Sequence, residues 1–305
     1  MLLEHWGLAV GDVTVNKRVG VLGATSMVGE CLLPLLTQAD WQVLAFSRRS
    51  ISETNDGVEW RQITLSTTAY QPGETREIET WICLAPIMVL PEYFSLFEAH
   101  GARRIVALSS TSRFTKADSS DPAEREFVAR LISSEEALQN WAEARRIEWV
   151  ILRPTLIYSF GLDKNISVIA GFIRRFGFFP IFGAANGLRQ PVHAEDVAQA
   201  CLAALDAPQA ANRSYNVSGA ETLTYREMVT RVFATLGRRP RLLMVPLSFF
   251  RLAVPCLRVI PRFRSWSPAM GERMNLDMVF DHTEATRDLG FYPREFILSI
   301  ENLLT

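Results

Sequence analysis

The segment 19–29, which reads VGVLGATSMVG, constrains this chain more than any other part of it. An apolar run is followed at once by a short turn with glycines at 23 and 29, and then by an apolar stretch that suits a helix. This order predicts a strand, a tight turn and a helix start, whose backbone amides can bind a pyrophosphate. A side chain at Gly23 is expected to occupy phosphate space, and Ser26 stands at the middle position of the G-x-x-G-x-x-G spacing. The alternative is an ordinary strand–helix turn of an α/β domain.

A second strand is predicted at residues 42–46 (QVLAF), and it ends in Ser47, Arg48 and Arg49. In dinucleotide-binding folds an acidic residue at this place binds the ribose 2′-hydroxyl of NAD, whereas an arginine accommodates the 2′-phosphate of NADP. The two arginines therefore favour NADP as the cofactor, with NAD as the other candidate. Two solvent-exposed arginines without a ligand are the alternative.

Composition limits the class of protein. A chain of 305 residues with a net charge of −1 can bury a substantial core, and this charge does not indicate a nucleic-acid partner. Cys31, Cys83, Cys201 and Cys256 lie far apart, without the spacing of metal ligands or of a CxxC motif. They predict free thiols in a reducing compartment, so we expect a cytoplasmic protein without a metal site. No stretch reaches the ~18 apolar residues that a membrane-spanning helix needs.

Strand patterns alternate with helical patterns through the first half of the chain. Further strands are predicted at 60–65, 80–84, 104–108 and 148–152, and the longest helix at 124–144. This alternation predicts a parallel sheet with right-handed crossovers, in which ligands lie beyond the carboxyl ends of the strands. The residues that the pattern places along this rim are Gly23 to Val28, Arg48, Ala85, Ser109, Ser110, Pro154 and Thr155.

The pattern changes after Pro154. Helices are predicted at 166–176, 193–205 and 224–236, the last with a capping box formed by Thr224 and Glu227. The segment 242–264 stands apart, because it is apolar on nearly all faces up to residue 260 and carries several arginines. A buried helix broken at Pro255 is one interpretation. The other is a patch that contacts a membrane surface or a partner protein.

Motifs occur along the chain in the order VLGATSMVG, SRR, ICLAP, IVALSSTS, WVILRPTLIYSFG, QPVHAEDVAQA, YNVSG and LGFYPREF. This order resembles the extended and atypical short-chain dehydrogenases/reductases, in the NAD-dependent epimerase/dehydratase group typified by nucleotide-sugar epimerases. The resemblance runs from Val19 to about Phe296. It implies an α/β oxidoreductase fold with a Rossmann-type doubly wound parallel sheet, at 17–160 plus about 188–218. A smaller mixed C-terminal substrate domain is expected at about 161–187 plus 219–305.

The resemblance also implies which residues bind the cofactor and the substrate. In that family the glycine turn holds the pyrophosphate, the SRR position selects NADP, and the ICLAP and RPTLIY segments line the adenosine ribose and the nicotinamide. The cofactor-binding residues implied here are Gly23, Thr25, Ser26, Met27, Val28, Arg48, Arg49, Leu84, Ala85, Pro86, Ser109, Pro154, Thr155 and Ile157. Arg189 and Arg273 match positions where a basic group binds a substrate diphosphate; packing or a salt bridge is the alternative for each.

One departure from the family affects the chemistry directly. Active members use a Tyr-x-x-x-Lys pair on the helix after the SSTS strand, and no tyrosine of this chain has a lysine four residues on. The best match is Phe127 with Leu131, and neither side chain can move a proton. Ser110 matches the serine of the family, but an isolated serine is a poor base near neutral pH. Lys164 follows the RPTLIYSFG segment and is the second catalytic candidate, with a solvated loop residue as the alternative.

Two functions from different classes therefore stay open. The first is an enzyme that acts on a small molecule such as a nucleotide sugar, with Ser110 and Lys164 as non-standard acid and base. The second is a non-catalytic NADP-binding protein that docks a partner or a membrane surface through 242–264. Some atypical members of the family resemble this function, including the accessory subunit of respiratory complex I. A homodimer is a further candidate assembly.

Overall fold

The computed structural model describes residues 17–51, 57–63, 78–159, 163, 165–257 and 267–299. The strands are β1 (Arg18–Leu22), β2 (Gln42–Ser47), β3 (Val58–Gln62), β4 (Thr80–Cys83), β5 (Arg104–Leu108), β6 (Glu148–Pro154), β7 (Ile157–Tyr158), β8 (Phe179–Phe182), β9 (Leu188–Arg189), β10 (Val192–His193), β11 (Arg213–Val217), β12 (Leu223–Thr224) and β13 (Leu242–Val245). The helices are α1 (Met27–Gln38), α2 (Phe94–Ala99), α3 (Ser112–Thr115), α4 (Pro122–Arg145), α5 (Ile166–Phe176), α6 (Ala194–Asp206), α7 (Tyr225–Thr235), α8 (Leu247–Leu257), α9 (Pro268–Arg273) and α10 (Thr283–Leu289).

Seven strands form one parallel sheet in the order β11-β6-β5-β4-β1-β2-β3. The chain runs outward from β1 to β3 and then crosses back, so β1 pairs with β2 on one side and with β4 on the other. This reversal creates a crevice at the carboxyl ends of β1 and β4, which is where such sheets bind ligands. The predicted Rossmann-type doubly wound sheet is confirmed.

Each face of the sheet is covered by helices. On one face α1 packs against α6, and apolar residues such as Val21, Leu32 and Val197 form one core cluster. On the other face α4 packs beside the 3-10 helix at Ile87–Tyr93, and Trp81 lies at the centre of a second cluster. Apolar side chains on both faces explain why the central strands read as continuous apolar runs.

A third apolar cluster lies among the C-terminal elements and contains residues of α5, α7 and α8. Short two-stranded sheets join this part of the chain, because β8 pairs with β13, β9 with β12 and β7 with β10. The capping box of α7 is present, with Thr224 and Glu227 satisfying each other's backbone amides. The bounds expected for two domains stay a prediction.

The apolar segment after residue 241 differs from the first of its two interpretations. Residues 242–245 form a strand, so the expected helix does not begin at residue 242. Pro255 lies inside α8, and residues 258–266 lie outside the described residues. Phe250 of α8 is buried in the third cluster, whereas Phe249 and Leu252 are 64% and 78% exposed. Among the described residues, no helix combines the length and the apolar character that crossing a membrane requires.

Candidate functional site

The glycine turn is a place of close backbone approach. Gly23 has φ +81°, and a Cβ there would lie 2.5 Å from the backbone N of Ala85, which follows β4. A side chain at Gly23 would therefore collide with the protein itself, and not only with a phosphate. A Cβ on Gly29 would lie 2.1 Å from the carbonyl oxygen of Ala24, so α1 can pack on the turn only with glycine at this place.

Ser26 takes the middle position of the turn as the N-cap of α1. Its Oγ accepts a hydrogen bond from the backbone N–H of Gly29 at 3.2 Å, and its own N–H donates to the carbonyl of Gly23 at 3.0 Å. With φ −80° it adopts ordinary extended backbone, which explains why no glycine is needed there. The first amides of α1 have no partner within the helix and can bind an anion.

A cavity of about 340 Å³, here called the turn cavity, lies at the carboxyl ends of β1, β2 and β4. Seven residues implied for cofactor binding line it: Gly23, Thr25, Ser26, Arg48, Leu84, Ala85 and Pro86. Arg49 follows Arg48 in the chain but does not line this cavity; its N–H donates to Oγ of Ser47 instead. The structure thus brings the glycine turn and one of the two arginines to the same cavity.

A second cavity of about 810 Å³, here called the central cavity, lies beyond β1, β5 and β6. The expected site residues that line it are Ser26, Met27, Ser110, Thr155, Ile157, Arg189 and Arg273. Ser26 lines both cavities, so they meet at the start of α1. Val28, Ser109 and Pro154 line neither cavity, and the side chain of Val28 lies in the core below the turn.

The resemblance places the Tyr-x-x-x-Lys pair of the family on α4, the long helix after β5. Phe127 lies on it with 39% of its surface exposed, and Leu131 is buried against the sheet. One turn further along α4 lies Glu135, which is 0% exposed. Its carboxylate accepts from Ser109 Oγ, Arg113 Nη1 and, at 2.6 Å, Arg153 Nη2. A buried carboxylate needs this number of donors, because an unpaired charge in the interior is strongly disfavoured.

Lys116 follows α3 directly and lines the central cavity. Its Nζ lies 5.7 Å from the ring centroid of Phe127 and 3.8 Å from Oε1 of Glu124. Burial lowers the pKa of this amine from its ordinary value, and the positive charge of Arg273 acts in the same direction. Glu124 opposes the shift, but its carboxylate also pairs with Arg273.

The two arginines expected to bind substrate are held by the protein at the edge of the central cavity. Arg189 donates to the carbonyls of Leu188 and Leu276 at 2.7 Å each, and burial lowers its pKa to about 10. Its guanidinium lies over the ring of Tyr225, at 5.6 Å from the centroid. Burial raises the pKa of Tyr225 to about 12, so this phenol stays protonated near neutral pH.

The catalytic candidates are placed unequally. Ser110 lines the central cavity, and its Oγ lies 3.0 Å from Oγ of Ser112. Lys164 lies outside the described residues. Its neighbour Asp163 accepts hydrogen bonds from the N–H of Asn165 at 2.8 Å and from Ser167 Oγ at 2.8 Å. This aspartate therefore caps the start of α5.

Sequence reasoning missed Lys116, Glu124, Glu135 and Tyr225. A signal for Glu135 does exist in the sequence, since an acidic residue interrupts the apolar face of α4 at helical spacing between Leu131 and Leu138. For Lys116 the signal is weaker: it is one of only three lysines and follows Ser110 by six positions. Across the described ranges, no cluster of three or more metal-ligating side chains occurs.

A family model matches the central part of the chain. Residues 92–218 match the model of the NAD dependent epimerase/dehydratase family. A segment of 207 residues aligns with an uncharacterized protein of Sinorhizobium fredii at 27% identity. The alignment covers 64% of this chain and 50% of that protein. A UDP-glucose 4-epimerase of Vibrio cholerae is 23% identical over 80% of this chain and 84% of its own length. The chain thus spans about half the length of the first of these relatives.

A mitochondrial NADH dehydrogenase [ubiquinone] 1 alpha subcomplex subunit 9 of Arabidopsis thaliana is 28% identical over 100 residues, which cover 32% of this chain and 25% of that subunit. Among solved structures, a Thermotoga maritima UDP-glucose 4-epimerase with UDP-glucose has a TM-score of 0.66 and 16% identity, over 94% of this chain and 96% of that one. MoeE5 in complex with UDP-glucose and NAD has a TM-score of 0.64 and 20% identity, over 92% and 95%. The resemblance to extended short-chain dehydrogenases/reductases of the epimerase type is confirmed.

Proposed function

We propose that this chain binds NADP in preference to NAD and acts on a nucleotide sugar. Its residues 92–218 match the model of the NAD dependent epimerase/dehydratase family. It would act on the sugar without the Tyr-x-x-x-Lys pair of that family. The observation that carries the proposal is that the turn cavity and the central cavity meet at Ser26. An extended dinucleotide laid across Ser26 would have its two halves in two adjoining cavities.

The residues around Ser26 fit a dinucleotide. The backbone approach at Gly23 and the amides at the start of α1 suit a pyrophosphate, because they offer donors without bulk. Leu84, Ala85 and Pro86 would lie along the adenosine ribose in the turn cavity. Thr155 and Ile157 would contact the nicotinamide half in the central cavity. A nicotinamide, when bound, supplies a hydride acceptor or donor.

Arg48 supports NADP over NAD. It lines the turn cavity beyond β2, where a 2′-phosphate would need a positive charge, whereas Arg49 lies outside the lining. Ser109 and Pro154 would act indirectly, since they shape the strand ends behind the site.

A nucleotide sugar suits the remaining space of the central cavity. Arg189 and Arg273 border this space and could face the diphosphate of such a substrate, and the C-terminal elements that carry them would form its lid. Ser110 would hydrogen-bond the reacting hydroxyl. The names of the UDP-glucose 4-epimerases among the similar proteins agree with this substrate class.

A calorimetric titration of the full chain tests the proposal. A portion of the protein is first heated, and absorbance shows whether it releases co-purified nucleotide. NADP⁺, NAD⁺ and UDP-glucose are then added in turn to unheated protein. We expect NADP⁺ to bind more tightly than NAD⁺, and UDP-glucose to bind to the NADP⁺-loaded protein. If neither dinucleotide binds, the proposal is refuted.

A second candidate function is favoured by a different observation. We propose that the exposed apolar side chains of β13 and α8 rest on an anionic membrane surface. Leu243, Met244, Phe249 and Leu252 are all exposed, and residues 228–271 contain eight arginines and no acidic residue. Apolar side chains in an arginine-rich stretch of sequence suit an anionic lipid surface, where both parts contribute to binding.

Sedimentation with vesicles tests this second function. The Phe249→Glu/Leu252→Glu variant should lose binding to phosphatidylglycerol vesicles, while wild type binds them and not phosphatidylcholine vesicles. The control Tyr292→Glu changes an equally exposed residue outside the patch. Wild type that stays in the supernatant with both lipids would contradict the membrane function.

A further inference from the structure

The loss of the family's tyrosine and lysine leaves the central cavity with an unusual set of proton carriers. Position 127 holds a phenylalanine, and position 131 holds a buried leucine. An amine from another element lies beside Phe127 and lines the central cavity. Lys116 extends from the end of α3 to the ring of Phe127, with Nζ 5.7 Å from the ring centroid. This amine and Ser110 line the same cavity.

Other titratable side chains along the described lining of this cavity are committed elsewhere. Asp163 caps α5 through several hydrogen bonds, and Arg189 donates to three backbone carbonyls. The pKa of Tyr225 is raised to about 12. Arg273 is paired with Glu124. Asp163, Arg189 and Arg273 are thus held by partners within the protein.

Lys116 differs from these groups in its surroundings. Its side chain is 25% exposed, so it is neither sealed in the core nor free in solvent. The carboxylate of Glu124 lies 3.8 Å from Nζ, which is too long for a direct hydrogen bond, and it is shared with Arg273. The charged groups that face the amine are thus Glu124 from α4 and Arg273 from α9. A partly desolvated lysine beside another cation is a known way to obtain a reactive amine.

We propose that Lys116 is the proton carrier of the central cavity, in the role that the tyrosine on α4 has in the family. The proposal rests on the proposed dinucleotide-dependent function. When a substrate hydroxyl is oxidised, its proton moves to the neutral Nζ of Lys116, which becomes an ammonium. The carbon–hydrogen bond of the same carbon breaks, and its electron pair leaves with the hydride to the oxidised dinucleotide. In the reverse direction the ammonium returns the proton to the oxygen. Ser110 hydrogen-bonds that oxygen in both directions.

The scarcity of lysine makes a direct test possible. Lys17, Lys116 and Lys164 are the only lysines of the chain, so reductive methylation with ¹³C-formaldehyde gives three dimethyl-lysine signals besides the N-terminus. The Lys116→Arg variant removes one signal and thereby assigns it. We expect the Lys116 signal of the full chain, with no ligand added, to titrate at clearly lower pH than that of Lys17, which pairs with Asp206 at the surface. A Lys116 signal that titrates together with Lys17, or above it, would overturn the proposal.

Turnover of UDP-glucose with the preferred dinucleotide gives a second reading. Lys116→Met should lower kcat by roughly 10²–10⁴-fold, the usual contribution of a positioned acid or base, while calorimetry shows dinucleotide affinity within about twofold of wild type. Lys116→Arg keeps the charge but cannot exchange the proton, so it should be equally slow and should lose the acidic limb of the pH profile. Lys17→Met is the matched control and should behave as wild type. Full activity of Lys116→Met would refute the role of Lys116. Absence of dinucleotide binding in wild type would instead refute the proposed function. The lysine titration needs no dinucleotide, so its result tests Lys116 in either case.

Discussion

The two cavities that meet at Ser26 are built in different ways. The turn cavity depends mainly on backbone: a left-handed glycine at 23, the missing Cβ of Gly29 and the first amides of α1. The central cavity depends on side chains from distant parts of the chain, such as Ser110, Lys116 and Arg273. A site built from backbone is encoded by one short segment, which tolerates few substitutions. A side-chain site can exchange its chemical groups while the fold around it is kept.

The largest effect is expected in the glycine turn, which depends on backbone. Gly29→Ala adds a Cβ at 2.1 Å from the carbonyl oxygen of Ala24, so the turn or the helix must shift. We expect a loss of at least about 4 kcal/mol in the free energy of unfolding, and no dinucleotide binding. Denaturant unfolding and calorimetry measure both.

The matched control is Gly171→Ala in α5, where a Cβ would meet nothing within 4 Å. There we expect a gain of about 0.5–1 kcal/mol, because alanine is the better helix former. Equal effects of the two substitutions would show that the turn does not require the close approach of Gly29 to Ala24.

The next largest effect concerns the side-chain region. Glu135→Leu leaves the charges of Arg113 and Arg153 without their common buried partner. We expect a loss of about 3–4 kcal/mol, as for other broken buried ion pairs. Denaturant unfolding measures it, with the exposed Glu136→Leu as the control on the same helix. A loss similar to that of the control would show that this network does not stabilise the strand ends under the central cavity.

The same difference explains how far the sequence could be read. The parallel sheet, the glycine turn and the limits of α5 follow from local patterns, because each is encoded within about ten neighbouring residues. The central cavity combines Ser110, Lys116 and Arg273, which lie up to 163 positions apart. No local pattern indicates that such residues meet. The strand at 242–245 was missed because its pairing with β8 decides its conformation, and not its own composition.

A smaller effect sharpens the description of the turn cavity. Arg48→Ala should weaken NADP⁺ binding by about 1–3 kcal/mol through the loss of a charge-assisted contact, and should change NAD⁺ binding little. Arg49→Ala is the control, because Arg49 does not line the cavity. Calorimetry with both dinucleotides measures the two losses. If Arg48→Ala weakens both dinucleotides equally, Arg48 does not read the 2′-phosphate.

The smallest effect is expected at His193, which lines neither cavity. His193 caps α6, the helix that packs on α1, and its ring lies 5.2 Å from that of Tyr158 in the third cluster. Burial, followed by the charge of Arg294, lowers the pKa of His193, while Asp196 and Glu195 oppose this. The unfolded chain therefore takes up a proton at a higher pH than the folded chain. The stability linked to the neutral ring is complete above the unfolded pKa and declines as the pH falls below about 6.5.

His193→Asn keeps a capping side chain but removes this proton uptake. Between pH 7 and pH 5 the free energy of unfolding should therefore fall less steeply in the variant than in wild type. The difference at pH 8, where the ring is neutral in both states, reports the lost packing alone. Parallel pH profiles of the two proteins would show that folding does not change the pKa of His193.

The position of β11 in the sheet has a consequence for the order of synthesis. Six strands of the sheet lie between residues 18 and 154, whereas β11, which covers the outer edge of β6, begins only at Arg213. At the usual ~5–20 residues per second of translation, this edge waits roughly 3–12 s for its partner. During that time β6 offers its unpaired backbone and the apolar residues Trp149 to Leu152 to any neighbouring chain. The nascent protein is therefore most exposed to aggregation on the ribosome just before β11 emerges, and a chaperone that binds extended apolar segments would act at this stage.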